Sequence, residues 1–70
     1  MDIAAILALI LKGLSVVNML IDAEQSAVPA IEALVRIVTG TQAGTVTSAD
    51  LDKEEATLDQ LIADFNLPMA

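Results

Sequence analysis

The 70-residue sequence contains no Cys, His, Trp or Tyr, and it has a single Phe. Without Cys and His, the common zinc sites and thiol or imidazole catalysis are excluded. A disulfide framework is excluded as well. Basic residues are also scarce, because three Lys and Arg stand against ten Asp and Glu, for a net charge of −7. Such a chain repels a phosphate backbone, so we expect no nucleic-acid partner.

Apolar residues, in contrast, make up 56% of the chain. A domain this small buries only about 60% of the surface that its unfolded chain exposes. Since disulfides and soft metal ligands are missing, self-association or docking on a partner is the remaining way to add buried surface. The spacing of the apolar residues predicts one all-α domain of two or three helices at about 2–23, 27–39 and 48–65. These form a helical hairpin or small bundle that is completed by oligomerisation or by a partner.

The first predicted helix is apolar around most of its circumference. Six residues repeat with alternating steps of four and three, the spacing of helices that pack on one another, and we call them the N-terminal seam: Ile3, Leu7, Ile10, Leu14, Val17 and Ile21. We predict that the seam is an interface with other protein. In the last helix we add four residues to this predicted interface: Leu58, Leu61, Ile62 and Phe65.

The first predicted helix is nearly long enough to cross a bilayer, which takes about 20 apolar residues. Lys12 lies at its centre, where a cation costs about 2.5–3.5 kcal/mol, although several Ile and Leu offset part of that cost. A signal peptide needs a positive start, and Asp2 provides the opposite charge. A helix buried by protein is favoured, and a membrane span stays an alternative. Lys12 itself either pairs with an acid such as Glu54 or Asp59 on another helix or subunit, or extends its stem to water.

The second helix has a candidate cap at Ser26 and tolerates Pro29 in its first turn. Its apolar positions form one face: Val28, Ile31, Leu34, Val35 and Val38. Alternatively the first helix continues and kinks at Pro29. We expect Gly40 to close the second helix and residues 40–47 to be a Gly/Thr linker. A phosphate-binding loop is not expected there, because the Lys-Ser or Lys-Thr of a P-loop is missing.

The third helix has the clearest start signal. Thr47 as N-cap and Asp50 three residues later form a short capping box, and Val46 and Leu51 suit a hydrophobic staple. Residues 47–70 hold six of the ten acids and one of the three basic residues. Asn66 can close the helix in a left-handed conformation.

Carboxylates are the only candidate catalytic or cation-binding groups present in number. The run Asp50-Leu-Asp-Lys-Glu-Glu55 lacks the alternating ligands and central Gly of a calcium loop, and no Ser has a His to activate it. We therefore expect a protein that is not an enzyme, with no catalytic residues, no metal site and no cofactor.

The run from Thr47 to Asn66 resembles the C-terminal helix of small helical proteins encoded by tailed bacteriophages and prophages. The resemblance covers about a third of the chain and transfers no functional residue. It implies a virion-associated protein that packs in multiple copies against capsid, neck or tail proteins. The acyl carrier proteins are also small, acidic and helical, but their Gly-x-Asp-Ser-Leu site is missing here.

The predicted function is thus that of a non-catalytic structural protein, found in the virion or the host cytoplasm, whose partners are itself, larger virion proteins, or both. One alternative is a single-span protein of the inner membrane, holin-like in architecture. The other is an acidic adaptor that docks its last helix into a groove of a partner.

Overall fold

Three helices account for most of residues 2–68, the part of the chain that the computed structural model describes. They are α1 (Ile3–Asp22), α2 (Val28–Ala43) and α3 (Ser48–Asp64), and this range contains no strand. All three pairs of helices are in contact, within overall dimensions of 34 × 20 × 16 Å. The predicted all-α bundle is confirmed.

α1 is capped at its N-terminus and closed at its C-terminus, where a turn separates it from α2. Asp2 is the N-cap of α1 and accepts a hydrogen bond from the Ala5 N–H at 3.1 Å. At the other end Glu24 is left-handed, with φ 59°, and the Gln25 N–H donates to the Leu20 carbonyl at 2.8 Å. This pattern is a Schellman closure, which satisfies carbonyls that the helix leaves unpaired. The alternative of one continuous helix kinked at Pro29 is therefore wrong.

The N-terminus of α2 differs slightly from the prediction. Ala27 is the N-cap and supplies no side-chain hydrogen bond, while the Ser26 hydroxyl accepts from the Val28 N–H at 3.3 Å. Pro29 lies in the first turn, as predicted. Its missing N–H leaves no helical hydrogen bond unmade there.

The predicted end of α2 at residue 39 is wrong, because the helix continues through Gly40 to Ala43. Gly44 closes it in the left-handed region, with φ 71°, and the Thr45 N–H donates to the Gly40 carbonyl at 2.9 Å. Gly40 has another role. A Cβ atom built at Gly40 would lie 2.6 Å from Val46 Cγ2, so the missing side chain lets the connecting loop pack on the helix. The linker that was predicted over 40–47 is thereby reduced to its second half.

The predicted capping box of α3 is confirmed. The Asp50 N–H donates to Thr47 Oγ1 at 3.1 Å, and the Thr47 N–H donates to Asp50 Oδ2 at 3.0 Å. At the C-terminus Asn66 is left-handed, with φ 50°, and the Leu67 N–H donates to the Ile62 carbonyl at 2.9 Å. This closure turns the Leu67 side chain into the core.

The core lies where the three helices meet. It consists of ten buried side chains: Ile6, Leu9, Val16, Leu20, Ala30, Ala33, Ile37, Leu58, Leu61 and Leu67. Gly13 brings α1 and α2 close together, because a Cβ atom at this position would lie 2.5 Å from Leu34 Cδ2. Full burial of a Leu side chain contributes about 1.5–3 kcal/mol, so these contacts hold the bundle together.

Two ion pairs attach α3 to the α1–α2 hairpin. Lys12 Nζ lies 2.6 Å from Asp59 Oδ1, and Arg36 Nε donates to both carboxylate oxygens of Glu54, at 3.0 and 3.1 Å. Of the two predicted alternatives for Lys12, the structure has the pair with an acid, within the same chain. Glu54 interrupts the apolar stripe of α3 because Arg36 meets its carboxylate there.

Candidate interaction surface

α1 has two apolar faces, and the fold covers one of them. The buried face consists of Ile6, Leu9, Gly13, Val16 and Leu20. The N-terminal seam lies on the other face. Ile3 and Ile21 at its ends are 67% and 58% exposed, and Leu7 and Leu14 are 54% and 48% exposed. Ile10 and Val17 are half-buried at the edge of the core. The seam is therefore on the surface of the folded chain.

The residues of α3 that we added to the predicted interface are placed differently. Leu58 and Leu61 are buried in the core of the chain itself, which corrects their assignment to a surface. Ile62 is half-buried against that core, and Phe65 is partly exposed at the C-cap of α3. Of the seam, only Ile10 and Val17 pack against the same core, and the other four seam residues are exposed. The apolar stripe of α3 serves mainly to hold α3 on the hairpin.

A second row of exposed aliphatic side chains lies on α2, and the predicted interface missed it. We call it the α2 stripe: Val28, Ile31, Val35 and Val38. The sequence does display these residues as one apolar face, and that spacing was the available signal. The core instead uses the neighbouring face, which carries the small residues Ala30 and Ala33 together with Ile37. Leu11 on α1, which is 64% exposed, was missed as well.

The N-terminal seam and the α2 stripe lie on the same side of the molecule. Lys12 and Arg36 point to α3, and Leu14 and Val38 each follow two residues later, which is about 160° around a helix. Both rows therefore face away from α3. Between them Leu34 lies against Gly13 and joins Ile31, Val35, Val38 and Thr39 in a shallow groove.

We call this surface the apolar face. Its members are Ile3, Leu7, Leu11, Leu14, Ile21 and the α2 stripe. None of these residues is charged, whereas the exposed side of α3 carries acids that include Asp52, Glu55 and Asp59. The folded chain is thus divided into an uncharged aliphatic side and an acidic side.

A small recess beside the loop between α2 and α3 is lined by four charged side chains. Arg36, Lys53, Asp50 and Glu54 line it together with apolar side chains such as Val46. The hydrogen bond to Glu54 raises the pKa of Arg36 above its ordinary value, so the guanidinium stays charged. Glu54 and Asp50 are already occupied by Arg36 and by the Thr47 backbone. Within residues 2–68 no three His, Cys, Asp or Glu side chains are grouped to hold a metal ion.

α1 also meets the length and composition of a membrane span, the one helix to do so in the described range. In its most apolar 18-residue stretch, 28% of the residues are buried in the bundle. Mostly buried core helices of soluble proteins and N-terminal signal sequences share this length and composition, so these two properties do not assign α1 to a membrane.

Comparison of the chain with known proteins finds no matching family model, and neither the curated proteins nor the solved structures give a significant match.

Proposed function

We propose that the protein is a non-catalytic assembly component that packs in multiple copies against other protein through its apolar face. The observation that carries this proposal is the exposure of four large seam residues, Ile3, Leu7, Leu14 and Ile21, on a folded chain. Contiguous aliphatic surface of this kind is uncommon on proteins that stay monomeric, and it marks surfaces that become covered.

The charge distribution supports protein rather than nucleic acid as the covering partner. The apolar face carries no cation, and the acids on α3 would repel phosphates. The resemblance of residues 47–66 to phage proteins makes a virion the setting that we propose, with the chain itself and larger virion proteins as partners. That setting predicts that the protein is recovered by mass spectrometry from purified phage particles.

The direct test of association is the molar mass in solution, measured by light scattering after size exclusion over a range of concentrations. We expect the unmodified chain to form oligomers and Leu14→Asp to be monomeric, because the new carboxylate would be buried without a partner. The matched control is Ala8→Asp, which places the same charge at an exposed position of α1 outside the seam. A monomeric parent chain, or equal masses for the parent and Leu14→Asp, would contradict the proposal.

A second candidate function is that of a small membrane protein, which the length and composition of α1 favour. In that state Leu9, Val16 and Leu20 would leave the core, and Lys12 would leave Asp59. The expected signature is retention of the protein in the membrane fraction after an alkaline carbonate wash. Release by the wash, together with an oligomer in solution, supports the assembly component instead.

A further inference from the structure

We infer that the apolar face is covered by a second copy of this chain, turned antiparallel about a two-fold axis that runs across α1 and α2. This inference rests on the proposed function, and it adds the identity of the partner and the geometry of the contact. In this arrangement α1 packs on α1 of the second copy, α2 packs on its α2, and both α3 helices lie outside.

The spacing of the N-terminal seam fits its own reversed copy. The steps between successive residues are four, three, four, three and four, which read the same in both directions. An antiparallel copy centred at residue 12 therefore brings every seam residue opposite another one: Ile3 opposite Ile21, Leu7 opposite Val17, and Ile10 opposite Leu14. Neighbouring helix dipoles also favour the antiparallel direction, because each positive end meets a negative end.

The α2 stripe has the same property. Its steps of three, four and three are also symmetric, and their centre is at residue 33. Reversal places Val28 opposite Val38 and Ile31 opposite Val35. Both rows of the apolar face are thus compatible with a two-fold axis perpendicular to the helices.

A single axis can serve both rows only if their centres lie at the same height in the hairpin. Leu34 lies against Gly13, and helical side chains lean towards the N-terminus, so its tip is level with about residue 33. The centre of the seam at residue 12 and the centre of the α2 stripe at residue 33 are therefore level within about one residue.

The distribution of charge is compatible with a second copy at the apolar face. The chain carries a net charge of −7, and most of its acids lie in α3 and the residues around it. Two such chains repel each other unless those acids are kept apart. Docking by the apolar faces places the two α3 helices on opposite outer sides, where water and salt screen them.

Disulfide cross-linking tests this arrangement, because the chain has no cysteine of its own. The probes are Ile3→Cys and Ile21→Cys, at exposed positions about 27 Å apart along α1. We expect a covalent dimer when the two variants are mixed under a mild oxidant, and none when either is oxidised alone. Val28→Cys mixed with Val38→Cys should behave in the same way, and Ala56→Cys on the exposed side of α3 is the control that stays uncrosslinked.

The outcomes separate this inference from the proposed function. Covalent dimers of Ile3→Cys alone or of Ile21→Cys alone would indicate a parallel contact and overturn the inference, although the association itself would stand. An oligomer in solution without any of these cross-links would overturn it too, since another surface would then be in use. A chain that is monomeric by light scattering would refute both.

Discussion

The two apolar faces of α1 are similar in composition and opposite in environment. One packs on α2 and α3, with Val16 and Leu20 fully buried, and the other leaves Leu7 and Leu14 about half exposed. A chain of 70 residues has room for one such core, so the aliphatic side chains that it does not use remain outside. The difference supports our proposal that the large apolar content of the chain serves two purposes, folding and association, on neighbouring faces of one helix.

The largest expected effect on the free energy of unfolding distinguishes these two faces at adjacent residues, Leu20 and Ile21. Leu20→Ala creates a cavity in the core and should lower the free energy of unfolding by about 2–5 kcal/mol. Ile21→Ala removes a side chain that is 58% exposed and should lower it by less than about 1 kcal/mol in the monomer. Urea unfolding followed by circular dichroism, at concentrations where the chain is monomeric, measures both. Equal losses would mean that both faces are covered within one chain.

A smaller effect is expected where α1 and α2 approach most closely. Gly13→Val places atoms where Leu34 lies, and the overpacking should cost about 1–3 kcal/mol of unfolding free energy. Ala8→Val introduces the same side chain at an exposed position of α1, outside the apolar face, and serves as the control. The same urea titration applies. If Gly13→Val is no less stable than Ala8→Val, the close contact between the helices does not exist.

The smallest expected effects on the free energy of unfolding concern the two ion pairs that join α3 to the α1–α2 hairpin. Arg36→Met leaves the Glu54 carboxylate buried without its partner and should cost about 1–2 kcal/mol, moderated because water reaches the half-exposed Arg36 site. Lys12→Met removes a more exposed pair and should cost less than about 1 kcal/mol. Urea titration gives the free energy of unfolding of both variants, and repeating it in low and in high salt gives a second measure of each ion pair. A larger loss for Lys12→Met than for Arg36→Met would reverse this ranking.

Local signals in the sequence predicted much of the fold correctly. The capping box of Thr47 and Asp50 and the left-handed Asn66 depend on neighbouring residues only, so the sequence contains all the information that they need. The end of α2 was wrong because Gly40 and Gly44 look equally suitable as caps. What distinguishes them is the packing of Val46 on Gly40, a contact outside the helix itself.

Which face of each helix the fold buries was harder to predict than where the helices lie in the sequence. On α1 the buried residues Ile6, Leu9, Gly13, Val16 and Leu20 have the same steps of three and four as the N-terminal seam. Spacing alone therefore does not indicate which row the fold will cover. The partner of Glu54 is equally nonlocal, because Arg36 lies 18 residues away on another helix.

The Schellman closures provide built-in reporters of helix length. The backbone amides of Gln25, Thr45 and Leu67 each donate the long hydrogen bond that closes one helix. Hydrogen exchange at these three amides therefore follows the three helix ends separately. If association straightened α1 and α2 into one longer helix, the Gln25 amide would take a new carbonyl partner, and its exchange rate would change while that of Leu67 stayed the same.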